Sequence, residues 1–163
     1  GVGGGAALVQ LRRRADLGRT QDDQEAIAVA YGNLANIVGT LGDLEAAADL
    51  YTQALARLED MGKKVGIAVI YGNLGNVALE QDDLEMAVDY YNQALALNKK
   101  LGRKEGMALS YAMLGHVAVA RGDLLEARQF LVQARGLFAE MGVQPKMAQY
   151  DQLLADLEPP AGP

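Results

Sequence analysis

The sequence repeats itself every forty residues, and this repetition limits the possible folds more than any other feature. Residues 31–70 align with residues 71–110 without a gap, and 19 of the 40 aligned positions are identical. Residues 71–110 align with residues 111–150 in the same way, with 14 identical positions of 40. Three tandem copies without insertions predict stacked units, each of which buries its apolar face against the next unit.

Each copy contains two amphipathic helical patterns. In the first pattern, apolar and small residues recur at the spacing i, i+3, i+4 and i+7, which is one face of an α-helix. This stripe consists of Tyr31, Leu34, Ala35 and Val38, then Tyr71, Leu74, Gly75 and Ala78, then Tyr111, Leu114, Gly115 and Ala118. The second pattern contains Leu44, Ala47, Tyr51, Ala54 and Leu55, then Leu84, Ala87, Tyr91, Ala94 and Leu95, then Leu124, Ala127, Leu131 and Ala134. Alternation of period two is absent, so each copy predicts an antiparallel helix pair rather than strands.

Residues typical of helix ends stand between these patterns. An aspartate at the start of each second helix can cap free backbone N–H groups, and a glycine at its end can adopt a left-handed conformation. The aspartates are Asp43, Asp83 and Asp123; the glycines are Gly62, Gly102 and Gly142. Gly42 and Gly122 mark the turn inside the pair. Ala35, Gly75 and Gly115 follow the core leucine, and a large side chain there is expected to hold the paired helices apart.

The order aromatic, Leu, Gly or Ala in the first helix and Ala, Tyr, Ala in the second resembles the tetratricopeptide repeat. The usual repeat has about 34 residues, whereas this one has 40. It is therefore similar to the long repeats of kinesin light chains and of the Pins and LGN spindle-orientation adaptors, and "NLGN" at 73–76 strengthens the likeness. The resemblance covers 31–142 and implies an all-α, right-handed superhelical solenoid of antiparallel helix pairs.

The chain is expected to divide into a flexible lead-in at 1–5, a partial repeat with the start of the first full repeat at 6–30, three repeats at 31–142, a capping helix at 143–158 and a tail at 159–163. Because "ADLG" at 15–18 matches "EDMG" at 59–62, residues 6–17 are interpreted as the end of an earlier second helix. The four extra residues before Tyr31 predict either one added helical turn or a longer loop. This half-repeat favours a fragment of a longer array.

Composition excludes several classes of function. The net charge is −6 with the acidic residues spread along the chain, which argues against nucleic acid as the main ligand. The absence of cysteine rules out disulfides and thiolate metal ligands and suits a reducing compartment, so a cytoplasmic location is expected. No apolar run approaches the roughly 18 residues that span a membrane, so membrane insertion is not expected. Arg12–Arg14 is interpreted as a solvated helix face.

The residues needed for catalysis are scarce. His116 is the only histidine and Ser110 the only serine. They lie six residues apart along one predicted helix, so their side chains are expected on different faces of it. A Ser-His-acid set is therefore not predicted. Neither of the "QDD" stretches, at 21–23 and 81–83, has calcium-loop spacing. We expect a non-catalytic protein without a cofactor or metal.

In the tetratricopeptide family the first helices line the concave side, so the stripe beside the core stripe is predicted to form a peptide-binding groove. In the first copy it contains Val29, Gly32, Asn33, Asn36 and Thr40; in the second, Val69, Gly72, Asn73, Asn76 and Glu80; in the third, Leu109, Ala112, Met113, His116 and Ala120. The stripe contains no Lys or Arg, which argues against the carboxylate clamp of chaperone-binding members.

The chemistry of this stripe suits a peptide. Asparagine carries a donor and an acceptor and can pair with backbone amides, and Met113 can adapt to an apolar side chain. Replacing Asn36 and Asn76 with Ala is expected to weaken peptide binding and leave the melting temperature nearly unchanged. Alternatively, the asparagines contact a neighbouring repeat or stay in water, and His116 is simply exposed. For Gly32 and Gly72, close packing between repeats is the favoured reason, ahead of close approach of a ligand.

The leading functional hypothesis is a scaffold that binds an extended or helical peptide segment of a partner protein. The first alternative is a homo-oligomerising structural element, because an incomplete first repeat leaves Leu8 and Leu11 to be covered. The second alternative is a regulatory arm of a larger signalling protein.

Overall fold

Seven helices make up the structure, a computed structural model that describes residues 3–157 except for the side chains of 3–8, 11 and 14–19. The helices are α1 (Gly3–Thr40), α2 (Leu44–Asp60), α3 (Lys64–Glu80), α4 (Leu84–Lys100), α5 (Lys104–Arg121), α6 (Leu124–Glu140) and α7 (Gln144–Asp156). No strand occurs among the described residues. The prediction of an all-α chain with two helices per copy is confirmed.

The chain divides into two units, residues 1–63 and residues 64–163. In the first unit α2 packs along α1. In the second unit α3, α4, α5 and α6 each pack on the next helix along the chain, which ends with α7, and α3 also touches α5. Helices that are adjacent in sequence are therefore neighbours in space within each unit, as expected for stacked helix pairs.

The predicted helix ends are confirmed. The carboxylate oxygen Oδ1 of each capping aspartate accepts a hydrogen bond from the backbone N–H three residues later. These bonds join Asp43 to Ala46 at 3.1 Å, Asp83 to Met86 at 3.0 Å and Asp123 to Glu126 at 3.0 Å. The glycines that follow the second helices have φ of 64° at Gly62, 64° at Gly102 and 71° at Gly142. Because only glycine adopts this conformation without steric cost, these residues set the helix boundaries.

The turn inside each helix pair also requires a left-handed residue. Gly42 and Gly122 have φ of 91° and 79°. The second copy has Asp82 at this position, with φ of 62°. Aspartate tolerates this conformation better than most residues, so the same turn forms in all three copies.

α1 differs from the prediction because it runs from Gly3 through Gly18 to Thr40 without a break. The helix end expected at Gly18 is absent, the loop considered before Tyr31 is excluded, and residues 3–5 of the expected flexible lead-in are helical. A helical glycine costs about 1 kcal/mol relative to alanine, and the mostly good helix formers that follow Gly18 offset this cost. The predicted tail at 159–163 lies outside the described residues.

The core of the second unit follows the predicted stripes. Leu74, Tyr91, Leu114 and Leu131 are each at most 3% exposed. In the first unit Ala35 and Tyr51 are buried, but Leu34 is 48% exposed, so its predicted place in the core is wrong within that unit. Within this unit α1 has only α2 to pack against, whereas α3 packs against both α4 and α5 in the second unit.

Candidate functional site

In each of the first two helix pairs, a tyrosine of the second helix is hydrogen-bonded to an asparagine of the first helix. The hydroxyl of Tyr91 in α4 donates to Oδ1 of Asn76 in α3 at 2.7 Å. In the first unit, the hydroxyl of Tyr51 in α2 donates to Oδ1 of Asn36 in α1 at 2.5 Å. Both tyrosines are buried, whereas both asparagines keep exposed surface. The asparagines therefore link the core to the surface of their helix pairs.

The Tyr91 hydroxyl needs this partner because its surroundings disfavour a charge. Burial raises the pKa of Tyr91 well above its usual value, and the negative charge of Glu80 adds to the effect. A neutral phenol that is 1% exposed needs an acceptor inside the protein, and Asn76 supplies it. These hydrogen bonds argue against a melting temperature that is nearly unchanged by Ala at Asn36 and Asn76, because each side chain satisfies a buried hydroxyl, so a loss of stability is expected instead.

The third copy changes both members of the pair. Leu131 occupies the position of Tyr91 and is 1% exposed, and His116 occupies the position of Asn76 and is exposed. A leucine has no hydroxyl, so the facing position no longer needs an acceptor. The third copy, which lacks the tyrosine, therefore also lacks the asparagine that would accept its hydroxyl.

The small residue after the core leucine makes room for this tyrosine or leucine. A Cβ atom added to Gly75 would lie 2.5 Å from Cε1 of Tyr91, and one added to Gly115 would lie 2.9 Å from Cδ2 of Leu131. Both distances are shorter than van der Waals contact. The prediction that a large side chain at these two positions would separate the paired helices is confirmed.

In the second unit, α3, α4 and α5 enclose a groove of about 230 Å³, called here the α3–α5 groove. Its lining residues are Ala68, Val69, Gly72, Asn73 and Asn76 from α3, Tyr91, Ala94 and Asn98 from α4, and Gly106, Leu109, Ser110 and Met113 from α5. None of these described residues carries a charge. The groove is an apolar channel with a few amide and hydroxyl groups, which is the usual composition of a ligand site.

Six of the predicted binding residues meet in this groove: Val69, Gly72, Asn73, Asn76, Leu109 and Met113. Glu80 and His116 are exposed on the same helices but are not part of its lining. Ala112 is buried with Leu131 and Tyr150 in the core formed by α5, α6 and α7, so its predicted place in the groove is wrong. The equivalent Gly72 faces open space, whereas Ala112 is buried in one cluster with Tyr150 of α7, so the packing around the two positions differs although their register on the helix is the same.

The predicted binding residues of the first copy all lie on α1. Val29, Asn33, Asn36 and Thr40 are exposed, and Gly32 is half-buried. The Thr40 hydroxyl donates to the backbone carbonyl of Asn36 at 2.8 Å, as threonine commonly does within a helix. A binding role for these α1 residues stays a prediction.

Gly72, on the side of the groove formed by α3, is not needed for close packing between helices. A Cβ atom added to Gly72 meets no atom within 4 Å. Packing between repeats, the favoured explanation for this glycine, is therefore wrong for Gly72, and the position faces open space in the groove.

Six lining residues were not among the predicted binding residues: Ala68, Tyr91, Ala94, Asn98, Gly106 and Ser110. Asn98 is 4% exposed, and its Oδ1 accepts a hydrogen bond from Nη1 of Arg103 at 3.1 Å. The Ser110 hydroxyl donates to the carbonyl of Gly106 at 2.8 Å, and a Cβ atom at Gly106 would lie 2.2 Å from Oδ1 of Asn98. A signal was present in the repeat alignment, because Leu58 and Phe138 occupy the position of Asn98 in the other copies.

The described part of the chain offers neither a metal-binding cluster nor a membrane-spanning helix. Among the side chains that the structure describes, no group of three or more His, Asp or Glu residues is placed to hold a metal ion. In the same part of the chain, no helix combines the length and apolar character needed to cross a membrane.

Residues 5–156 match the family described as the MalT-like TPR region. The chain belongs to this tetratricopeptide-repeat family. The predicted all-α tetratricopeptide fold is thereby confirmed, since the match covers most of the sequence. No curated protein sequence matches this TPR chain.

Solved structures of other repeat proteins resemble this TPR chain. The N-terminal domain of stress-induced protein-1 from C. elegans is 18% identical, with a TM-score of 0.61, and the match covers 78% of this chain and 97% of that one. The nearly identical TPR-like repeats of a putative kinesin light chain from Podosopora anserina are 20% identical, with a TM-score of 0.65 and coverage of 80% and 64%. BtubC from P. vanneervenii is 18% identical, with a TM-score of 0.60 and coverage of 86% and 68%. These likenesses show the fold.

Proposed function

We propose that the chain is a non-catalytic protein-interaction scaffold and that its α3–α5 groove binds an extended or helical peptide segment of a partner protein. The observation that carries this proposal is the uncharged lining of the groove, which combines apolar walls with the side-chain amides of Asn73 and Asn76. The tetratricopeptide fold is generally a protein-interaction scaffold, and a groove between its helices is a natural place for a peptide.

The two asparagines can contribute to peptide binding in different ways. Oδ1 of Asn76 already accepts the Tyr91 hydroxyl, so its Nδ2 group is the part left to donate to a peptide carbonyl. The half-buried Asn73 side chain has no hydrogen-bond partner among the described residues and offers both a donor and an acceptor. Each hydrogen bond to a peptide amide is expected to add about 0.5–1.5 kcal/mol.

Apolar side chains on both walls supply the other part of the binding energy. Val69 on α3 is 49% exposed and Leu109 on α5 is 46% exposed. A peptide between them would remove both from water, at about 25 cal/mol for each Å² of apolar surface buried. Met113 adds a flexible apolar contact that adapts to different side chains.

The same lining disfavours two other ligands. A C-terminal carboxylate clamp needs Lys or Arg side chains, and none lines the α3–α5 groove. Nucleic acid binding requires cations that neutralise phosphates, and the groove presents none. A neutral peptide segment matches the lining better than either.

The proposal is tested with binders selected from a random-peptide display library on the whole chain, with affinities measured by fluorescence anisotropy. Asn73→Ala removes groove hydrogen bonds and is expected to weaken the selected peptides about fivefold, as loss of about 1 kcal/mol implies. Asn92→Ala on the exposed surface of α4 is the matched control and is expected to leave affinity unchanged. Equal affinity of wild type and Asn73→Ala for every selected peptide would reject the groove.

The self-assembly alternative depended on Leu8 and Leu11, whose side chains lie outside the described residues. It stays a prediction, which sedimentation at several concentrations tests. A role as the regulatory arm of a larger protein also stays a prediction.

A further inference from the structure

Asn98 is a polar residue at a core position of the repeat. It is 4% exposed and lines the α3–α5 groove, whereas the equivalent residues Leu58 and Phe138 are apolar. Burying an amide without full hydrogen bonding destabilises a protein, so an apolar residue would be the more stable choice for packing alone. This exception to the repeat pattern points to a role in the groove.

Arg103 determines how the Asn98 amide is oriented. A guanidinium has only donors, so the atom that faces Nη1 of Arg103 at 3.1 Å must be the amide oxygen. The Nδ2 group is then directed away from Arg103, and it has no hydrogen-bond partner in the described part of the chain. An amide N–H₂ in this position offers hydrogen-bond donors to a molecule in the groove.

Ser110 provides the complementary acceptor. Its hydroxyl proton is used in the bond to the carbonyl of Gly106 at 2.8 Å, which leaves the lone pairs of Oγ to accept. Ser110 is 5% exposed and lines the same groove as Asn98. Gly106 lies beside both residues, and any larger side chain there would collide with Asn98.

We propose that Asn98 and Ser110 form a subsite for an uncharged carboxamide side chain, asparagine or glutamine, of the bound peptide. The carboxamide oxygen accepts from Nδ2 of Asn98, and the carboxamide nitrogen donates to Oγ of Ser110. This inference rests on the proposed peptide-binding function and names the side chain that the groove selects.

Other side chains satisfy the subsite less well. A carboxylate has no proton to donate to Ser110 Oγ, and an ammonium has no acceptor for the Asn98 amide. Both would also lose their hydration in a groove whose lining carries no charge. An apolar side chain of similar size would leave the Nδ2 group of Asn98 and the lone pairs of Ser110 Oγ without partners.

The test uses peptides selected on the whole chain from a random-peptide display library. We expect the selected peptides to share Gln or Asn at one position, and replacing that residue with Glu or Met to weaken binding to the wild-type chain at least about tenfold. The protein variant is Asn98→Leu, which keeps nearly the same shape and introduces the residue found at position 58. On this variant the preference for Gln over Met is expected to disappear.

One further measurement reports on Asn98 directly, and one further variant is available if Asn98→Leu does not fold. Nuclear magnetic resonance is expected to show a shift of the Asn98 side-chain amide signals when the Gln peptide binds, and no shift with the Met peptide. If Asn98→Leu does not fold, Ser110→Ala is used in the same comparison, because it removes the acceptor and retains a small side chain.

The outcomes distinguish a failure of the proposed subsite from a failure of the proposed peptide-binding groove. Peptides that are weakened by Asn73→Ala but show no Gln or Asn preference, or keep that preference on Asn98→Leu, would overturn the subsite and leave the proposed function intact. If no selected peptide responds to Asn73→Ala, the proposed function fails and the subsite fails with it.

Discussion

The hydroxyl of Tyr91 and Oδ1 of Asn76 are joined at 2.7 Å between paired helices, and the equivalent bond joins Tyr51 to Asn36. In the third copy, leucine replaces the tyrosine and histidine replaces the asparagine. The pair therefore changes as a unit, because a buried hydroxyl and its acceptor depend on each other. The asparagines that suggest a ligand site also stabilise their own helix pairs.

Removing the acceptor should destabilise the protein more than removing the hydroxyl. Asn76→Ala leaves the buried Tyr91 hydroxyl without a partner, at an expected cost of about 1–3 kcal/mol in the free energy of unfolding. Tyr91→Phe leaves only the exposed Asn76 amide, which water can satisfy, so a cost of about 0.5–1.5 kcal/mol is expected. Urea unfolding measures both values. Asn73→Ala is the control. If Asn76→Ala lowers the free energy of unfolding no more than Tyr91→Phe does, Asn76 is not the acceptor that the buried Tyr91 hydroxyl requires.

Stability should fall at alkaline pH because burial raises the pKa of Tyr91, and the negative charge of Glu80 raises it further. The folded state favours the neutral phenol, so this contribution is fully present below the usual tyrosine pKa of about 10 and is lost as pH rises above it. Tyr91→Phe removes the group, and its stability should decline less steeply above about pH 10. Urea unfolding at several pH values compares the two proteins. Parallel declines would show that Tyr91 does not contribute.

Two glycines of α3 should respond in opposite directions to alanine. Gly75→Ala places a methyl group 2.5 Å from the Tyr91 ring and is expected to destabilise the protein by about 1–3 kcal/mol. Gly72→Ala meets no atom within 4 Å and is expected to stabilise it by about 0.5–1 kcal/mol through higher helix propensity. Thermal unfolding distinguishes them. Gly136→Ala in α6, which also meets no atom within 4 Å, is a second stabilising control.

Periodicity and helix-end chemistry were sufficient to predict most of the fold. Asp83 and Gly102 act locally, so their roles follow from the sequence around them. Gly18 resembled Gly62 in its local sequence, yet only the residues that follow decide whether a helix continues. The exposure of Leu34 depends on which helices surround α1 in its unit, which the repeat pattern does not specify.

The candidate site was predicted only on the first helices. Asn73 and Met113 follow from the stripe beside the core, but the bond from Tyr91 to Asn76 requires knowing how the two helices are rotated against each other. Asn98 lies on a second helix at a position that the pattern assigns to the core. Its difference from the other copies was visible in the sequence, but its place in the groove depends on the packing of α4 beneath α3 and α5.

The last prediction concerns Asp82, which holds φ of 62° where the other copies have glycine. A left-handed conformation costs a non-glycine residue about 1–2 kcal/mol, and the greater freedom of glycine in the unfolded chain cancels part of the gain from replacing it. Asp82→Gly is therefore expected to raise the free energy of unfolding by about 0.5–1 kcal/mol. Asp82→Asn changes the charge and keeps a residue that tolerates this conformation, so it measures the electrostatic part separately. If Asp82→Asn stabilises the protein as much as Asp82→Gly in urea unfolding, charge and not backbone strain is the cause.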